Sequence, residues 1–117
     1  MYTFFMKDRI QRINQLTKEE LGKIIIKKVD FPKDVLVTIT RVETLPDLTQ
    51  AKVYISCFPE KMTLETLKIL NRNLYFLQKS INQILTMKRV PKITFIRERE
   101  IEKADRIEEL LEEIKKR

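Results

Sequence analysis

Seven cations fall between residues 62 and 97: Lys68, Arg72, Lys79, Lys88, Arg89, Lys92 and Arg97. They face one acid, Glu65, a net of 7 − 1 = +6. Guanidinium and ammonium groups gathered in this way take phosphate oxygens and displace condensed counterions. The rest of the chain lacks the bias. Residues 1–61 carry eleven bases and eight acids (+3), and residues 98–117 carry six bases and eight acids (−2). The whole chain of 117 residues stands at +7, which favours an anionic partner, nucleic acid before an anionic membrane surface. Any one of these cations alone reads as a solvated surface charge; the asymmetric set argues for anion binding. Lys79, Lys88, Arg89, Lys92 and Arg97 are the preferred contacts, and Lys68 and Arg72 belong to the same field. Lys27, Lys28 and Lys33 join them if the end of the first helix lies nearby. Tyr54, Phe58, Tyr75 and Phe76 are the rings available for stacking on bases, with Phe76 expected inside and Tyr54 on an open sheet face.

Catalytic chemistry has little to work with. There is no histidine, so the usual imidazole base and commonest metal ligand are missing. Cys57 is the only cysteine, which excludes an intrachain disulfide and a thiolate cluster; it is expected to sit in a strand as a small hydrophobe. Gly22 stands alone, so no glycine-rich phosphate cradle exists. Asp30 and Asp34 flank a turn, Glu108, Glu109, Glu112 and Glu113 share a charged stretch, and nothing selects an acid–base pair. The expectation is a protein that binds rather than catalyses, with no cofactor, metal or small-molecule substrate. No stretch approaches 18 uninterrupted apolar residues, and Met1–Met6 is too short for a signal peptide. A cytoplasmic protein with no membrane association is expected.

The elements that must position these cations follow from periodicity. Residues 4–29 repeat Ile10, Ile13, Leu16, Leu21, Ile24 and Ile25 at helical steps. Thr17-Lys18-Glu19-Glu20 could open a new helix, but the register continues through it, which favours one long helix. Gly22 within it points to close packing against a neighbour. Pro32 ends the helix, and a β-hairpin follows, with strands Val35–Val42 and Ala51–Phe58 joined through Pro46-Asp47-Leu48-Thr49. Ala51, Val53 and Ile55 oppose Lys52, Tyr54 and Ser56, so one sheet face is apolar and needs helices on it. Thr63 is placed to cap a second helix that runs from Leu64 to Leu85, with Asn71 and Asn73 marking a bend. Lys92–Arg97 reads as a third strand, and residues 98–117 as a final amphipathic helix. The architecture is α/β (α+β), one domain over residues 1–117: a three-stranded sheet with helices on one face, in the order α-β-β-α(kinked)-β-α.

The same residues carry a resemblance. Val37–Val42, then Asp47-Leu48-Thr49-Gln50-Ala51-Lys52-Val53-Tyr54-Ile55-Ser56, is similar to the signature of the ribosome-binding factor A family. Leu85–Phe95 resembles that family's second conserved stretch. Arg9-Ile10 with Ile13, Leu21-Gly22-x-Ile24-Ile25 and Arg106-Ile107-Glu108-x-Leu110-Leu111 fit as well. The resemblance implies a KH-like fold of type II. It also implies a non-catalytic, monomeric assembly factor that binds the immature small (30S) ribosomal subunit, assists 16S rRNA processing and is tied to growth in the cold. An assembly GTPase is a further partner that the resemblance raises. Two positions depart from the family pattern. Its long helix is interrupted at an Ala-x-Gly kink, where this chain has Asn73 and Tyr75, and Arg97 stands where the family has Asp. Tyr75 in place of Gly would put an aromatic ring at the bend. Two other readings of the residues stay open: a generic single-stranded nucleic acid-binding module, and a protein-interaction domain that uses the C-terminal helix.

Overall fold

The computed structural model describes residues 2–98, with side chains from residue 8 onward. The final helix expected over 98–117 lies, Glu98 apart, outside the described residues. The elements are α1 (Tyr2–Lys28), β1 (Leu36–Thr44), β2 (Gln50–Phe58), α2 (Thr63–Arg72), α3 (Leu74–Ile84) and β3 (Lys92–Arg97). The sheet order is β1-β2-β3, with β2 antiparallel to β1 and parallel to β3. This is the α/β arrangement expected from the periodicity, with the parallel pairing made possible by the α2–α3 crossover.

One continuous helix spans Thr17. Ile13, Thr17, Leu21, Ile25 and Val29 form a buried stripe at four-residue steps, so Thr17 belongs to the packed face of α1 and starts nothing. The close approach expected at Gly22 is absent: a methyl group built there meets nothing within 4 Å. On the sheet, Ala51, Val53, Ile55 and Cys57 of β2 and Ile93 and Phe95 of β3 point to the same core as Leu70, Leu77 and Ile81 of the crossover helices. Cys57 is buried with its sulfur 3.2 Å from Thr66 Oγ1, in keeping with a structural role.

β1 departs from simple alternation. Pairing runs Ile39↔Ile55 and then Arg41↔Tyr54, which leaves Thr40 as an extra residue in a β-bulge. The bulge changes the parity of the strand, so Ile39 and then Val42 and Thr44 face inward. Pairing continues through Glu43↔Lys52 and Thr44↔Ala51, so β1 runs to Thr44 rather than ending at Val42. Thr44 is held by Asn14 of α1, whose Oδ1 accepts from the Thr44 backbone N–H at 3.0 Å and its hydroxyl at 2.5 Å.

A short 3₁₀ turn, Glu60–Met62, precedes α2. Thr63 does not cap: it is already the first residue of α2, with helical φ −60° and ψ −45°, and its hydroxyl donates back to the Glu60 carbonyl at 2.7 Å. The bend falls at Asn73, with φ −98° and ψ 7° between α2 and α3. Its side-chain amide donates to the Ile69 carbonyl at 2.8 Å, which satisfies an acceptor at the end of α2 and ties the bend to it. No helix among the described residues is long and apolar enough to cross a membrane.

Candidate nucleic-acid interface

At the end of the sheet where β1 turns into β2, two loops and a helix enclose a hollow of about 790 Å³. Its walls are Arg9 of α1, the turn residues Asp47 to Gln50, and Met87 to Val90 with Lys92 from the α3–β3 connection. Four cations line it against one acid, Asp47. Leu48, Met87 and Val90 supply an apolar floor. None of the four cations makes an ion pair with a described residue. A concave, positively charged wall of this kind concentrates potential and favours an anion.

The loops are set by local chemistry. Asp47 Oδ1 accepts from the Thr49 backbone N–H at 3.0 Å and its hydroxyl at 2.7 Å, an Asx turn that lets Leu48 take a left-handed φ of 62°. These two bonds hold the exposed Asp47 carboxyl below its ordinary pKa. The Thr49 carbonyl accepts from the Lys92 N–H at 3.0 Å, which joins the turn to the start of β3. Gln78 of α3 completes the frame: its Nε2 donates to the Pro91 carbonyl at 3.1 Å and its Oε1 accepts from the Ile93 N–H at 2.8 Å. Lys92 is therefore gripped on both sides. A smaller hollow of about 350 Å³ continues from here to Gln78 and Asn82, with Lys88 and Lys92 shared between the two.

The cations singled out in the sequence separate into groups. Lys88, Arg89 and Lys92 come together in the hollow. Lys68, Arg72 and Lys79 are exposed on α2 and α3 and do not line it. Arg97 closes β3 at its other end, about 17 Å from Lys92 at strand rise. Lys27 and Lys28 sit in the last turn of α1, about 27 Å from Arg9 along the helix axis. They do not share the hollow. Arg9, by contrast, is a member that charge counting over 62–97 passed over, because the helix that carries it is distant in sequence. Its neighbour Arg12 pairs with Asp8 at 3.1 Å, whereas Arg9 points to the loops.

The rings also rearrange. Tyr54 lies on the open sheet face as expected, but the Arg41 guanidinium covers it at 3.8 Å from the ring centroid. Its hydroxyl donates to Glu43, and burial beside that carboxylate raises its pKa above the tyrosine norm. Arg41 in turn donates to Glu98 through Nε at 2.8 Å and pairs with Glu43, and the Glu98 bond raises the arginine's pKa further. That face is internally neutralised, so Tyr54 offers no free ring. Phe76 was expected inside, yet it is 44% exposed, because the buried stripe of α3 runs through Leu77 and Ile81. Tyr75 beside it is 83% exposed.

Comparison with known proteins gives one consistent result. The model of the family described as ribosome-binding factor A matches residues 9–111. A ribosome-binding factor A of Thermodesulfovibrio yellowstonii is 39% identical over 108 residues, which cover 92% of each chain. The crystal structure of ribosome-binding factor A from Thermus thermophilus superposes with a TM-score of 0.67 at 23% identity, covering 75% of this chain and 94% of that one. A model of the Thermus thermophilus factor fitted into a map of its complex with the 30S subunit superposes with a TM-score of 0.61 at 24% identity. It covers 73% of this chain and 90% of that one.

Proposed function

Because the chain belongs to the ribosome-binding factor A family, we propose that it binds the immature small ribosomal subunit and assists 16S rRNA maturation without catalysis. The observation that carries the reading is the hollow in which Arg9, Lys88, Arg89 and Lys92 converge with no ion pair to a described residue. Phosphates of a folded RNA segment fill such a wall, with Leu48, Met87 and Val90 against sugar edges. The cations are charge donors with no Asn or Gln beside them in the larger hollow except Gln50. Recognition therefore goes through the shape of the RNA rather than through base edges. Held there, the protein keeps an RNA helix from its final position until the surrounding site has formed. It acts as a monomer in the cytoplasm, one copy to each immature subunit.

Co-sedimentation with immature and mature small subunits at near-physiological salt tests this. The expected result is preference for the immature pool at one copy per subunit. That preference is lost when Arg9, Lys88, Arg89 and Lys92 are changed together to Gln. Equal weak binding to both pools and to unrelated RNA would leave only a generic nucleic-acid module.

A further inference from the structure

We infer that the outer face of the sheet, at the end marked by Leu36 and Phe58, is a docking surface for the chain's own C-terminal segment, residues 99–117. The described helices pack on the inner face, against Val53, Ile55 and Phe95. Leu36 and Phe58 face the other way. They are register partners across β1 and β2, and they are 66% and 72% exposed. Thr38 and Ser56, the next outer pair, are exposed too. Around the free edge of β1, Ile26 of α1 is 79% exposed and lines one hollow with Leu36. Three large apolar side chains thus share the end of the molecule away from the phosphate hollow. A folded chain gains nothing by showing such a group to water, and a contiguous patch of this kind marks a contact surface.

The place where the described chain stops names the occupant. β3 runs parallel to β2 with Arg97 beside Ile55, and the Glu98 N–H still donates to the Ile55 carbonyl at 2.8 Å. The chain therefore leaves β3 heading toward the Phe58 end, three residues short of its level. Glu98 sets the sideways direction as well. Its carboxylate reaches over β2 on the outer face to Arg41 Nε and Thr40 Oγ1 of β1, both at 2.8 Å. The first apolar residue beyond is Ile101, and Ala104, Ile107, Leu111 and Ile114 follow at helical steps. As a helix, that stripe is about 20 Å long. Crossing from β3 over Phe58 to Leu36 takes two strand spacings, about 10 Å, which leaves the remainder for Ile26. Glu109, Glu112 and Glu113 fall on the opposite side of such a helix and stay in water. Docked in this way, the segment spends its apolar face on its own domain and leaves the phosphate hollow open.

The test uses the full chain, methyl-labelled, in solution NMR. Nuclear Overhauser contacts from the Leu36 methyls and the Phe58 ring to the methyls of Ile101, Ile107 or Leu111 are expected, unchanged on dilution. Amides over 101–114 should exchange about tenfold or more slowly than those of an unprotected chain. Leu36→Ser with Phe58→Ser should abolish that protection and leave Val53 and Ile55 protected, because both truncated side chains are exposed and open no cavity in the core. Ile101→Ser with Ile107→Ser, a change outside the described core, should erase the contacts at Leu36 and Phe58 in the same way. Absence of the contacts in the wild-type chain, or protection of 101–114 that survives the Leu36 and Phe58 substitutions, would overturn the proposal. Contacts that vanish on dilution would overturn it too, since they would mean that a second copy covers the patch.

Discussion

Arg9 offers the sharpest perturbation, because only the folded chain associates it with Lys88, Arg89 and Lys92. Changing Arg9 to Gln removes the charge and keeps a good helix former in α1. The side chain is exposed and makes no ion pair with a described residue, so stability should hold. If Arg9 meets one RNA phosphate, the slope of log K against log salt becomes shallower by about 0.9. Carried to about 0.15 M salt, one such contact is worth about fivefold in affinity, and four of them roughly 10³. The control is the pair Lys27→Gln and Lys28→Gln, about 27 Å away along the helix. At a Debye length of about 8 Å, those charges are screened from anything bound in the hollow. Fluorescence anisotropy of a labelled small-subunit RNA fragment, titrated at several salt concentrations, gives both slopes. An unaltered slope for Arg9→Gln would refute the reasoning. So would an equal change in the Lys27 and Lys28 control.

Three further outcomes follow from the local geometry. Gly22→Ala should stabilise the protein by about 1 kcal/mol, since the added methyl meets open space and the helix interior prefers Ala. Thermal unfolding would show a rise of about 4 °C, and a fall would mean a close approach at that position. Asp47 has a native pKa below its unfolded value, so its contribution to stability is full above the ordinary carboxyl range and fades as pH falls through it. Urea titrations of wild type and Asp47→Asn should therefore differ most near neutrality and converge only once pH has fallen through the lowered native pKa of Asp47; a gap independent of pH would contradict the turn geometry. Glu98→Gln should cost about 1–2 kcal/mol, because Oε2 accepts from both Arg41 Nε and Thr40 Oγ1 at 2.8 Å. The Glu98 side chain is 7% exposed and Arg41 35%, which keeps the loss below that of a fully buried pair. Chemical denaturation with an unchanged midpoint would show the pair to be dispensable.

Local rules account for much of the architecture. β3 covers Lys92–Arg97 as its apolar alternation behind Pro91 indicates, and β2 buries Ala51, Val53 and Ile55 against an outer face of Lys52, Tyr54 and Ser56. Period and turn chemistry are nearest-neighbour properties, so they are written in the order of residues. The break at Asn73 was also legible there, because Asn is a poor helix former whose side-chain amide can bond a nearby helix carbonyl, here that of Ile69. Even the excess of positive charge over 62–97 is a property of the chain as written.

Other features needed contacts between distant segments. The bulge at Thr40 depends on how β1 registers against β2, and it alone turns Val42 and Thr44 inward. Tyr54 looks available on its face until Arg41, thirteen residues earlier, is laid across it by that shifted register. Phe76 looks like core until Leu77 and Ile81 take the inward positions of α3. The hollow itself joins α1 to two loops, so a cation at position 9 lies beside cations at 88, 89 and 92 while those at 27 and 28 lie far along the helix. Charge along the chain adds up locally, but an electrostatic site depends on separations of a few ångströms in water and salt. Composition set the sign of the chain's charge, and packing alone decided which charges meet.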